Sequence, residues 1–145
     1  MGRPVYPVLT VRQPWAALIV LGVKDVENRN WRLPEKYTGV PVLIHAAAKP
    51  AFDIFAFECE ILASGTYIVP MLTDVAGESG CIIGSVVFGG CIQNDGNPPS
   101  RWSDKAVKFW WRIREAGMLK IPAIPAKGRL RFWTWEGNLN PSEGN

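Results

Sequence analysis

Apolar residues fall in short runs along the chain, and the breaks between runs are marked by proline, glycine or charge. Val8-Leu9-Thr10-Val11 is β-branched and apolar and predicts a strand. Pro14 suits the first turn of a helix, Trp15 to Leu21 carries that helix on, and Gly22 supplies its stop. This helix is apolar nearly all round, which predicts burial, and at about two turns it depends on packing rather than propensity. From Lys24 to Arg32 the character alternates. Asp25, Glu27, Arg29 and Trp31 share one parity, and in a strand they share one face. Pro34 to Gly39 reads as a polar turn, and Val40 to Ala46 as a buried strand carrying His45.

Pro50 opens a second predicted helix that runs to about Ser64 and ends at Gly65. Phe52, Phe55, Ala56, Cys59 and either Leu62 or Ala63 form its apolar stripe. Tyr67 to Gly80 fits either a short helix or a loop. Cys81 to Ile92 is the strongest strand signal, and Gly84, Gly89 and Gly90 within it predict bulges or tight bends. Asn94 to Ser100 is a loop, Phe109 to Ile113 a strand, and Pro122 and Pro125 mark an edge or extended connector. Leu130 to Trp135 is the last strand, followed by a polar tail expected to fray. Several short glycine-bearing strands with two early helices predict an α+β fold, a small β-barrel or strongly curved sheet with helices packed outside.

Composition agrees with one domain: 145 residues, 48% hydrophobic and 20% charged. No apolar stretch approaches the roughly 20 residues of a membrane span, and the start lacks an apolar signal core. The cysteines at 59, 81 and 91 form no C-x-x-C pair and there is one histidine, which argues against a structural zinc site and a disulfide scaffold. A reducing cytoplasm is the expected setting, with no metal and no cofactor.

Charge changes the picture more. Residues 1–49 balance at +4, residues 50–100 at −6, residues 101–131 at +7 and the tail at −2. Two basic blocks around an acidic one predict a basic face assembled from separated segments. In the late block Lys105, Lys108, Arg112, Arg114, Lys120, Lys127, Arg129 and Arg131 interleave with Trp102, Phe109, Trp110, Trp111, Phe132, Trp133 and Trp135, a mixture suited to nucleic acid. Trp133 is expected in the core. Trp110 and Trp111, as neighbours on a strand, are expected on opposite faces with one of them exposed.

Three stretches carry a family signal. They are Val11-Arg12-Gln13-Pro14-Trp15-Ala16 with Gly22-Val23-Lys24-Asp25-Val26-Glu27-Asn28-Arg29 and Trp31; Gly39 through His45-Ala46; and Gly80 to Gly84 with Pro125 to Gly128 and Trp133. Together they resemble the ASCH domain, a member of the PUA-like superfamily, over residues 8–135, leaving 136–145 as a tail. The resemblance implies a PUA-like small β-barrel flanked by helices. It also implies a cleft where the first helix meets the barrel, suggested for RNA, DNA or a modified nucleotide.

The side chains named by those motifs suit such a ligand. Lys24 and Arg29 can hold phosphate, with Lys49 and Lys127 as further cations. Trp15 and Trp31 offer faces for base stacking, and Gln13 can donate to and accept from a base edge. Trp110 and Arg112 extend the set, and His45 is either a ligand contact or a hydrogen-bonded core histidine. Each has a plainer alternative: Trp15 as core, and Glu27 bracing Arg29 so that Lys24 alone meets ligand. The expected partner is RNA, single-stranded nucleic acid or a modified nucleotide, with no membrane.

Two other functions remain open on the sequence. Some ASCH proteins act as hydrolases, and one branch resembles amidohydrolases of acetylated cytidine that pair a lysine with a threonine three residues later. Lys24 matches the lysine, and Glu27 stands at the threonine position. A ribonuclease-like reaction would use Lys24 for phosphate charge and Glu27 or His45 for proton transfer. A protein-docking domain would instead use the acidic middle of the chain.

Overall fold

A computed structural model describes residues 2–52 and 69–139. The predicted helix from Pro50 to Ser64 lies almost wholly outside them. The sheet strands are β1 (Val5–Val11), β2 (Val26–Arg29), β3 (Pro41–Ala46), β4 (Cys81–Gln93), β5 (Phe109–Met118), β6 (Ile124–Pro125) and β7 (Phe132–Glu136). Among the described residues two α-helices join them, α1 (Trp15–Val20) and α2 (Val69–Ala76), with one 3₁₀ turn at Glu35–Tyr37. The ambiguous stretch before Gly80 therefore holds a short helix.

The strand order is β2-β5-β4-β3-β1-β7, with β6 paired to the start of β4. Among the described strands only β1 and β3 pair in parallel; the other strand pairs are antiparallel. The two ends of the ladder, β2 and β7, do not pair with each other among the described residues, so the backbone makes an open sheet rather than the closed barrel expected from the sequence. Side chains bridge the opening. Trp111 of β5 stacks on Phe132 of β7 with ring centroids 5.8 Å apart, and Trp31 meets both rings edge-on. In a flat sheet β5 and β7 would lie four strand spacings apart, about 19 Å. The sheet is therefore strongly curled, as its glycines predict.

The bulges sit where those glycines are. The β4–β5 register shifts between Val87 and Phe88 and again between Phe88 and Gly90. On the other side, Ile44 and His45 pair with Gly84 and Ile82, skipping Ile83. Gly84 also allows close approach of the helix, since a Cβ there would meet the Gly117 carbonyl oxygen at 2.3 Å and Val20 Cγ1 at 2.6 Å.

The inner face of the curl carries Leu9, Val11, Val42, Ile44, Val86, Phe88 and Trp111, closed by the buried α1 and by α2. Strand alternation sends Val8, Leu43 and Ile82 to the outer face, where Trp133 and Trp135 cover them. The helix α1 ends as predicted, with Leu21 as C-cap and Gly22 at φ +79°. Exposure of one of the paired tryptophans is corrected: Trp110 and Trp111 are both fully buried. They do face opposite ways, but the outer face of β5 is covered by the loop 94–108, whose Asp104 carbonyl accepts from Trp110 Nε1 at 2.8 Å.

Candidate functional site

A cleft opens where the start of α1 meets β2. It has two chambers, of about 440 and 370 Å³, that share Trp15, Glu27 and Asn28 in their walls. The first is completed by Lys24 and the loop residues Arg101, Trp102, Asp104 and Val107. The second is completed by Thr10, Arg12, Arg29, Ala47 and the turn Arg129-Leu130-Arg131.

At the junction lies a charge relay of three side chains, Lys24 and Glu27 buried and Arg29 partly exposed. Lys24 Nζ donates to the Val26 carbonyl and lies 3.5 Å from Glu27 Oε1. Arg29 places Nε and Nη2 on Glu27 Oε2 at 3.1 and 2.8 Å, and Nη2 also donates to the Thr10 carbonyl at 3.0 Å. Lys24 and Glu27 are 3% and 5% exposed, so neither charge is held by solvent. Burial pushes the Lys24 ammonium below the usual lysine range despite the carboxylate beside it. Burial pushes Glu27 the other way, but Arg29 and Lys24 together outweigh it and hold the carboxyl below its ordinary range. Glu27 thus braces Arg29, as the plainer reading of the sequence has it. Glu27 reaches both chambers, Arg29 lines the second, and Lys24 lines the first, with its Nζ 5.9 Å from the Trp15 ring centre.

Asparagines fix the loop that roofs the first chamber. Asn28 Nδ2 donates to the Trp102 carbonyl at 3.0 Å, and Asn28 Oδ1 accepts from the Asp104 amide at 2.9 Å. Asn30 Oδ1 accepts from the Lys108 amide at 3.1 Å, and Asn94 Nδ2 donates to the carbonyls of Lys105 and Val107. The loop so held brings the Trp102 ring 6.5 Å from the Trp15 ring.

The turn bounding the second chamber is built differently. Arg131 has φ +58°, a left-handed conformation that a residue with a Cβ adopts at a cost. Its guanidinium lies 4.8 Å from the Trp31 ring centre, which holds the turn in place. Between the two arginines Leu130 projects with 93% of its surface exposed.

Of the residues singled out in the sequence, Trp15, Lys24, Glu27 and Arg29 meet at this cleft, joined by Trp102, Arg129 and Arg131 of the late basic-aromatic block. The other ligand candidates lie elsewhere. Gln13 is buried and fully used: Nε2 donates to the Val75 and Glu78 carbonyls, and Oε1 accepts from the Ala17 amide. It ties α1 to the end of α2. Trp31 is set back from both chambers, packed on Trp111 and Phe132 under Arg131. His45 is 1% exposed on the outer face, with Nδ1 3.2 Å from Thr10 Oγ1 and Nε2 2.6 Å from the Ala126 carbonyl. That is the hydrogen-bonded core position. Trp110 is sealed beneath its loop. Arg112 lines a separate small pocket with Asp25 and Ser100, while Lys49 and Lys127 are exposed and line neither chamber.

Arg12, Asn28, Arg101 and Asp104 were not singled out by the sequence patterns. Arg12 sits inside the family motif beside Gln13. Asn28 sits inside it too, on β2, while Arg101 and Asp104 owe their places to the loop 94–108, which no periodicity reveals. Among the described residues no three His, Cys, Asp or Glu side chains cluster as metal ligands. No helix among them is long and apolar enough to cross a membrane.

The family model of the ASCH domain matches residues 9–117, from β1 through nearly all of β5. The chain belongs to the ASCH domain family. Within this ASCH domain the matched span includes Trp15, the Lys24–Glu27–Arg29 relay and the whole roofing loop, and it stops short of the Arg129–Arg131 turn. Activating signal cointegrator 1 of Homo sapiens is 29% identical over 141 residues, which cover 91% of this chain. The chain spans 22% of that relative's length. The ASCH family is generally linked to RNA binding.

Proposed function

We propose that this ASCH domain is a nucleic-acid-binding module whose ligand enters the two-chambered cleft between α1 and β2. The observation that carries the reading is the meeting of the two basic blocks there. Arg12, Lys24 and Arg29 come from the first block, and Arg101, Arg129 and Arg131 from the second, more than seventy residues away. Against them the cleft sets Glu27, already neutralised by its partners, and Asp104. The first chamber, with indole walls from Trp15 and Trp102, takes a base. The second, with its arginines, takes the adjoining phosphates. RNA is the favoured ligand because the family is linked to it. A cytoplasmic setting goes with the free thiols of Cys81 and Cys91.

Titration of intrinsic tryptophan fluorescence with a short single-stranded RNA tests this. Trp15 and Trp102 should quench, and log K should fall with log salt at a slope of about −3 if four exposed arginines contact phosphate. Arg101→Ala and Arg129→Ala should each flatten that slope by about 0.7. No quenching by RNA or DNA at low salt would defeat the proposal.

A hydrolytic reading has one observation in its favour. Lys24 lines the first chamber, and burial holds its ammonium below the usual lysine range, the direction that favours a proton-transferring role. Release of acetate from acetylated cytidine, or cleavage of RNA, that Lys24→Ala abolishes in a folded protein would support it. Turnover unchanged in that variant would remove it.

A further inference from the structure

Leu130 is an anomaly at the mouth of a charged cleft. It is a large apolar side chain, 93% exposed, with an arginine on either side. The turn that presents it is not slack: Arg131 is held in a left-handed conformation with its guanidinium against Trp31. An exposed leucine on a mobile tip would need no explanation. One held outward on a braced turn, beside a chamber of about 370 Å³, is a projection with a fixed aim.

Proteins that act on a base within a duplex must extrude it, and the vacancy left in the stack is costly. Apolar side chains such as leucine serve as wedges between base steps, and flanking cations hold the backbone on either side. The cleft has the three parts this needs. The first chamber has aromatic and polar walls for an extruded base, Leu130 is the wedge, and Arg129 and Arg131 are the backbone clamps.

We propose that this domain recognises a nucleotide extruded from a duplex, with Leu130 inserted into the stack in its place. The inference rests on the nucleic-acid reading above and adds the state of the ligand. Double-helical RNA and double-helical DNA both present a stack that a wedge can enter, and the two are tested side by side.

The test uses RNA and DNA duplexes carrying one 2-aminopurine opposite a mismatch, and the same labelled strands unpaired. 2-Aminopurine brightens when it leaves the stack. Binding of the wild-type protein to at least one of the duplexes should raise its fluorescence. Leu130→Ser should weaken duplex binding about tenfold and remove the rise, while single-strand binding changes by less than about twofold, because only the duplex needs a wedge. Leu130 packs on little, so the variant should melt with the wild type by circular dichroism. Tight duplex binding without brightening, or equal loss on duplex and single strand in Leu130→Ser, would overturn the wedge. Binding to single strands but to neither duplex would overturn it too and leave the nucleic-acid reading standing. No binding to any of the four probes would overturn both.

Discussion

Burial of Lys24 beside Glu27 gives their titrations separate pH windows. Glu27 has a folded pKa below its ordinary 4.5, so its contribution to stability is present above that value and is lost as pH falls through the folded one. Removing the carboxylate leaves two cations facing each other. Glu27→Gln should therefore cost about 3–5 kcal/mol at pH 7 in urea unfolding. That gap should narrow below pH 4.5, and a constant gap down to pH 2.5 would contradict the assignment. Lys24 has a folded pKa below its ordinary 10.5, so the fold disfavours its charge. The wild type should gain stability relative to Lys24→Met as pH rises toward 10.5, and parallel stability curves for the two proteins would show that Lys24 is not desolvated. Cys81 lies 5% exposed with its thiol against Glu78, and burial together with that carboxylate pushes its pKa up to about 11. Its alkylation by iodoacetamide in the native protein at pH 7.5 should be far slower than after unfolding. Parity in the sequence put Glu27 and Arg29 on one face, and the family motif added Lys24. The sequence offered a hydrogen-bonded core position for His45, which is where it lies, but it did not reveal that Gln13 is consumed by internal hydrogen bonds, because its partners include the carbonyls of Val75 and Glu78, which no side-chain pattern marks.

Strands and helices set the cleft by how closely they approach. The α1–β4 contact depends on Gly84. Gly84→Ala would drive a methyl into Val20 and the Gly117 carbonyl, and should destabilise the fold by about 1–3 kcal/mol. A Tm unchanged within error would mean that α1 can shift freely. The roofing loop depends on Asn28. Asn28→Ala removes both of its hydrogen bonds, to Trp102 and Asp104, and should cost about 1–2 kcal/mol while weakening RNA binding through the displaced Trp102. Stability lost without any change in binding would detach the loop from the site. At this scale the sequence was most informative where a run was long and strongly patterned. The glycines in Cys81–Gln93 announced the bulges, and Gly22 announced the end of α1. The extent of β2 was less legible. It stops at Arg29, because beyond it Asn30 turns to cap the loop and Trp31 swings under Arg131. Burial of both Trp110 and Trp111 could not be read locally either, since the loop that covers one of them is remote from the strand pattern.

Across the whole molecule, the two basic blocks meet in part: Arg12, Lys24 and Arg29 of the first and Arg101, Arg129 and Arg131 of the third line the cleft, while Lys49, Arg112 and Lys127 do not. Of the described acidic-block residues, Asp74 and Glu78 lie beside a different pocket with Ile83 and Met118. The small closed barrel expected from the sequence is not formed by the backbone: the strands curl, and Trp111 of β5 stacks on Phe132 of β7 across the opening. The order of the strands also has a mechanical side. The first and last strands are neighbours, Val5 lies opposite Glu136, and Gly137 donates to the Pro4 carbonyl at 3.0 Å. Tension applied through the two chain ends therefore falls on one rung of an antiparallel ladder at a time. The strands peel like a zip instead of sliding in shear. Set within a longer chain, such a domain should yield in an optical trap at low force, with β7 stripping from Glu136 toward Phe132. The Arg129–Arg131 turn would then be pulled from the cleft before the rest of the sheet feels the load.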